Sequence, residues 1–192
     1  MDQLKEHHLP RLAPVFYQGD AVVHWSMNVQ ERQTGWLTES FQQTFRESMM
    51  HAAVRENLFC PTYCLMPDHM HVVWMGLRAE SDQRRGMAFF RTLLNRALDP
   101  SQLQHQAYDH VLGDEERRQG AFAKVCAYIL SNPVRAELVS DVGDWKFSGA
   151  IVPGYPELHP TRDDFWEKFW KLYARLRHDE AKRALPSRSS RL

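Results

Sequence analysis

Apolar and polar positions alternate with two periods along this chain, and the switches between them mark out elements. Ala21 to Val29 (AVVHWSMNV) reads as a strand, bounded by Gly19-Asp20 and by the polar run ERQTG. Thr38 is placed to cap a helix over Glu39 to Glu56, with Phe41, Phe45 and Met49 forming one apolar stripe. Leu58 to Leu65 and Asp68 to Met75 read as two strands joined through Met66-Pro67-Asp68, an antiparallel hairpin. Ser81 to Leu98 reads as a second helix, with Phe90, Leu93, Leu94 and Ala97 as its core face and Asp99-Pro100 as its stop. His105 to Leu112 fits a short strand. Ala121 to Ser131 fits a third helix, its core face Phe122, Val125, Cys126 and Ile129. After Val139 the pattern turns irregular, with Pro153, Gly154, Pro156 and Pro160. A last helix over Arg162 to Ala184 then carries Phe165, Trp166, Phe169, Trp170, Leu172 and Leu176.

One strand, a hairpin and a further strand, with helices between, define an α+β fold on an antiparallel sheet of about four strands, with a C-terminal helical extension. The expected organisation is a polar lead-in over 1–19, one main domain over 20–150, and a linker, helix and basic tail over 151–192. The terminal SRSSRL is expected to be disordered.

The formal net charge is zero, which excludes a uniformly basic coat but not a local basic groove. Charge is uneven: Arg78 to Arg96 holds five arginines against two acidic residues, and the chain from Arg162 onward holds nine basic against five acidic. That C-terminal excess marks the segment for phosphate contact. The three cysteines, Cys60, Cys64 and Cys126, form no C-x-x-C pair, so a disulfide framework or zinc knuckle is not expected. No apolar run reaches membrane-spanning length and the N-terminus has no apolar signal core, so a reduced, cytoplasmic, non-membrane protein is expected.

Two constellations carry chemistry. His69 and His71 stand two apart in MPDHMHVVW, so on a strand their imidazoles share one face about 7 Å apart. Such a pair can converge on one metal ion, or be two ordinary histidines on a half-exposed strand. Lys124, Tyr128 and Asn132 fall at i, i+4 and i+8 on the third helix. A metal on the histidines would polarise a phosphate oxygen, and the Tyr128 hydroxyl could attack the phosphorus. Two imidazoles and an amide oxygen suit Mg²⁺ or Mn²⁺. Asn132 has a competing role: it precedes Pro133, and the pair could cap a short helix over Pro133 to Leu138. Lys124 is either a solvated lysine or a phosphate contact. Arg84, Arg85, Arg91 and Arg96 lie on or near the exposed flank of the second helix, as a solvated face or as DNA phosphate ligands. Trp25, Trp74 and Tyr108 could stack unpaired bases, but core packing is expected for each.

With these motifs the chain resembles the REP-associated tyrosine transposases, a branch of the HUH single-tyrosine transposases. The resemblance rests on His69-Met70-His71 in MPDHMHVVW, on Tyr128 in AYILSNPVRAELV about sixty residues later, and on the segment Gln106 to His110; it runs from about Val22 to Ser148. It implies a ferredoxin-like domain over 20–150 that cleaves and rejoins single-stranded DNA at palindromic hairpin elements. The tyrosine would attack a 5′-phosphate and leave a free 3′-OH. Tyr128 would be the nucleophile, His69, His71 and Asn132 the ligands of a divalent metal, Mg²⁺ or Mn²⁺, and the protein a monomer or homodimer on hairpin or single-stranded DNA. Glu137 departs from the pattern, standing where the family often has glycine. The alternatives are a rolling-circle initiator or relaxase with the same histidine chemistry, and a non-catalytic single-strand-binding regulatory module.

Overall fold

The computed structural model describes residues 10–184, with side chains described as far as His178; the terminal SRSSRL and the first nine residues of the lead-in lie outside them. In chain order the elements are β1 (Val22–Asn28), α1 (Glu39–Glu56), β2 (Leu58–Leu65), β3 (His69–Gly76), α2 (Gln83–Ala97), β4 (Tyr108–Val111), α3 (Asp114–Arg118), α4 (Ala121–Arg135), β5 (Ser148–Ile151) and α5 (Phe165–Ala184).

Local chemistry sets the boundaries. The Thr38 hydroxyl accepts from the Phe41 N–H at 3.1 Å and starts α1. Asn57, left-handed at φ 52°, ends it and turns the chain directly into β2. Asp82 caps α2 by accepting from the N–H groups of Arg84 and Arg85, both at 3.0 Å. The hairpin turn closes with the Met66 N–H on the His69 carbonyl at 2.8 Å.

The sheet order is β4-β1-β3-β2-β5, every pair antiparallel. It has five strands rather than four. The added strand, β5, pairs with β2 and lies in the stretch that reads as irregular; Ser148-Gly149-Ala150-Ile151 is too short and too small to show a period, and it is held by burial of all four residues. Helices cover both faces, so β2 and β3 are buried almost throughout, and β2 is apolar on both faces apart from the buried Thr62. Pro61 sits in β2 at a register shift between Phe59 and Thr62, where a missing N–H is tolerated.

One face packs Trp25, Met27, Met70, Val72 and Trp74 against the stripes of α1 and α2, through Phe45, Met49, Phe90 and Leu94. The other packs Phe59, Val73 and Met75 against Cys126 and Ile129 of α4 and Phe165, Phe169 and Leu172 of α5. Phe165 and Phe169 are fully buried, each stabilising by roughly 1.5–3 kcal/mol. The lead-in is anchored too: Tyr17 is fully buried, and a Cβ on Gly76 would stand 1.8 Å from the Gly19 carbonyl oxygen.

Three local expectations are corrected. The helix bearing Tyr128 does not stop at Ser131 to let Asn132 cap a new one; α4 runs through Asn132 and Pro133 to Arg135. Proline at this point removes the N–H that would bond the Ile129 carbonyl, and the Asn132 side-chain amide donates there instead, at 3.3 Å. Arg91 does not lie on an exposed flank but turns inward, its guanidinium donating to the carbonyls of Gln104 and His105. Tyr108 is not core but 52% exposed, because β4 is an edge strand; Trp25 and Trp74 are fully buried as expected.

Candidate active site

Alternation along β3 sends Met70, Val72 and Trp74 to one core and leaves His69 and His71 on the α4 side. The two rings lie 4.9 Å apart, centroid to centroid, at 89°. The Tyr128 ring is 6.2 Å from that of His71. Ile129 and Cys126 anchor α4 in the core, which presents Tyr128, the position just before Ile129, at the rim of the helix footprint, 45% exposed. His71 is only 7% exposed, so the pair spans the boundary between core and solvent.

Each histidine is oriented through Nδ1. Asp68 Oδ1 lies 2.6 Å from His69 Nδ1, and the carboxylate is itself held by Arg32 at 3.1 Å. Burial alone would raise the Asp68 carboxyl, but its hydrogen bond to His69 and the charges of His69 and Arg32 hold it below the usual range. His24 Nε2 lies 3.0 Å from His71 Nδ1. His24 comes from β1, diagonally across the ladder, since Ser26 is the residue opposite His71. Burial, then the neighbouring His24, His69 and Arg32, push His71 down to about 3; burial, then His110, push His24 down to about 4. Both are therefore neutral near pH 7, the form that donates a lone pair to a metal.

These residues fit a divalent ion. With both Nδ1 atoms engaged, Nε2 is the remaining nitrogen on each of His69 and His71. Asn132 is one helical turn after Tyr128, and with its amide NH₂ on Ile129 the oxygen remains for a ligand. Among the described residues no three His, Cys, Asp or Glu side chains cluster as a metal site, and the candidate donors are two imidazoles and an amide. Arg135, a further turn along α4, places its guanidinium carbon 4.7 Å from the Tyr128 ring centroid.

The fold thus joins His69, His71 and Tyr128, with Asn132 on the same helix. Lys124 is exposed one turn before Tyr128. Arg84, Arg85, Arg91 and Arg96 belong to α2, which packs on the opposite face of the sheet, and are not brought to this site. Arg85 pairs with Glu56 at 3.5 Å. Sequence reading missed His24, Asp68 and Arg135. His24 was findable from parity, since Val22, His24, Ser26 and Asn28 share a face of β1. Arg135 was findable at i+7 from Tyr128 once α4 was known to continue past Pro133.

The class defined here is an α+β protein whose central strand sets a histidine pair against a tyrosine on a covering helix. Among solved structures, a REP-associated tyrosine transposase bound to a REP hairpin has this fold, with a TM-score of 0.59, 21% identity, and coverage of 73% of this chain and 81% of that one. No family model and no curated protein matches the chain.

Proposed function

We propose that this protein is a metal-dependent DNA strand transferase that cleaves and rejoins single-stranded DNA at hairpin elements through a phosphotyrosine intermediate. The observation that carries the reading is the 6.2 Å approach of Tyr128 to His71, from two elements about sixty residues apart in sequence. The fold shared with a transposase bound to a REP hairpin supports the same reading and the choice of a palindromic repeat as substrate. His69, His71 and Asn132 would hold Mg²⁺ or Mn²⁺, which when bound supplies Lewis-acid polarisation of the scissile phosphate.

The chain's own residues do the rest. The Tyr128 hydroxyl gives up its proton as its oxygen attacks phosphorus; a P–O(Tyr) bond forms as the P–O3′ bond breaks, and the departing oxygen takes up one proton to become a 3′-OH, so the proton count is unchanged. Reversal by another 3′-OH rejoins strands with no nucleotide cofactor, because the phosphodiester energy is kept in the phosphotyrosine. Arg135 over the ring orients the phenol and offers positive charge beside the incoming phosphate. Asp68 and His24 hold the imidazoles in one tautomer. His24 meets the Nδ1 side of His71, so it acts as an orienting group and not as the third histidine ligand that a relaxase-type site uses.

The test is a denaturing gel with end-labelled single-stranded hairpin DNA and Mn²⁺. The parent should form a covalent protein–DNA adduct, Tyr128→Phe none, and the His69→Ala/His71→Ala double variant none. An adduct that survives in Tyr128→Phe would assign the nucleophile elsewhere. Cleavage without adduct in parent and Tyr128→Phe alike would make the protein a hydrolase.

A further inference from the structure

A cavity of about 370 Å³ lies on the α2 side of the sheet, across from the α4 face that carries Tyr128, and is lined by Arg11, Arg84, Met87, Arg91, His105 and Ala107 among others. Three arginines line it, one from the lead-in and two from α2. Arg11 belongs to the lead-in, bonded to the Ala107 carbonyl at 3.1 Å and paired with Asp109 at 3.0 Å. Arg84 sits in the first turn of α2, its guanidinium carbon 5.8 Å from the Tyr17 ring centroid. Arg91, two turns on, gives Nη2 to the carbonyls of Gln104 and His105, while its buried Nη1 has no hydrogen-bond partner. Two carboxylates adjoin these groups, and both are already engaged: Asp109 by Arg11 and the Tyr17 hydroxyl, and Asp82 by the N–H groups of Arg84 and Arg85 and the Gln18 amide. Clustered arginines repel one another. An anion with several acceptor oxygens relieves that repulsion, and phosphate matches the fork geometry of arginine.

The cavity's place in the fold points to the source of that anion. Ala107 leads directly into β4, the edge strand. The next residue, Tyr108, lies opposite Ser26, and Ser26 lies opposite His71, so the three form a row across the sheet on the histidine face. Two strand spacings, about 10 Å, separate His71 from the exposed Tyr108. A strand leaving the tyrosine site across this row would meet an exposed aromatic at the edge and, turning round β4 onto the α2 face, the arginine cavity. We propose that Arg11, Arg84 and Arg91 form a second phosphate site, which takes one backbone phosphate of the single strand as it passes over the β4 edge. This rests on the DNA-processing reading above for its ligand, but not on Tyr128 being the nucleophile.

The experiment is fluorescence anisotropy of a labelled single-stranded oligonucleotide over a salt series, using full-length parent, Arg84→Gln, Arg84→Lys and Arg11→Gln, each shown to melt like the parent. Arg84→Gln and Arg11→Gln should bind several-fold more weakly, with the salt slope reduced by about 0.7 for each phosphate no longer neutralised. Arg84→Lys should keep most of the slope. Parental affinity and slope in both glutamine variants would overturn the proposal. Calorimetry with a deoxynucleoside 5′-monophosphate separates the sources. Arg84-dependent nucleotide binding combined with Arg84-independent oligonucleotide binding would make this a free-nucleotide site and overturn the strand assignment. A parent that forms no adduct yet shows Arg84-dependent DNA binding would sink the tyrosine mechanism and leave this site standing.

Discussion

Asn132 is a side chain with two polar ends. Its NH₂ group replaces the backbone donor that Pro133 lacks, which leaves the oxygen for the proposed metal. Asn132→Asp keeps an oxygen and adds charge, so Mn²⁺ binding should be retained or tightened; Asn132→Ala should weaken it. Calorimetry distinguishes them, and parental affinity in both variants would reduce Asn132 to a helix-repair residue. His24 and His71 make a second residue-scale case. Burial pushes His24 to about 4 and His71 to about 3, from an ordinary value of 6.5. The unfolded chain therefore binds protons that the fold refuses between those values. Stability is full above pH 6.5 and falls as pH drops toward 4, by up to about 1.4 kcal/mol per pH unit for each histidine. Urea unfolding of metal-free protein at pH 7, 6 and 5 should show this slope, and His24→Phe should flatten it. The same variant removes the acceptor on His71 Nδ1 and should weaken Mn²⁺ binding by about tenfold.

At the scale of the element, α4 carries Tyr128, Asn132 and Arg135 and ends under strain. Glu137 follows it at φ 57°, left-handed, where a side chain is disfavoured. The turn is held by the Glu137 N–H on the Val134 carbonyl at 3.0 Å and the Leu138 N–H on Pro133 at 2.9 Å. This gives a physical reason why glycine suits the position. Glu137→Gly should stabilise the protein by about 0.5–1 kcal/mol, the relief of strain exceeding the added freedom of the unfolded chain. Denaturant midpoints check it, and a lower midpoint would show that the Glu137 side chain makes a stabilising contact of its own.

For the whole molecule, the C-terminal helix is part of the packing on the histidine face of the sheet. Phe165 and Phe169 are fully buried among Phe59, Val73 and Met75, and the Tyr173 hydroxyl bonds the Gly76 carbonyl at 2.9 Å. Removing everything after Pro160 should therefore destabilise the fold by several kcal/mol, since single buried Phe→Ala changes cost about 3–5 kcal/mol. Thermal melts of the truncated and full chains test this; equal melting temperatures would show that α5 is a separable appendage. A contribution of this segment's basic charge to DNA binding is better read from substitutions on the outer face of α5, such as Lys168→Gln and Lys171→Gln, which leave the apolar face in place. Among the described residues no helix is long and apolar enough to cross a membrane.

Local periodicity and stereochemistry were sufficient for most of the elements: the cap at Thr38, the hairpin at Pro67-Asp68, the apolar stripes, and the shared face of His69 and His71. These depend on residues close in sequence, so the sequence by itself determined them. Side-chain partners across the sheet depend on strand order and register, which no short window contains. Only the tertiary structure decided that β1 lies beside β3, and hence that His24 orients His71. It likewise decided that four residues without a period become β5 once β2 offers them an edge. The same holds for Arg91, which helical spacing sends outward and which the loop before β4 draws into a cavity with Arg11. Charge and periodicity say which residues can meet solvent; packing decides which of them do.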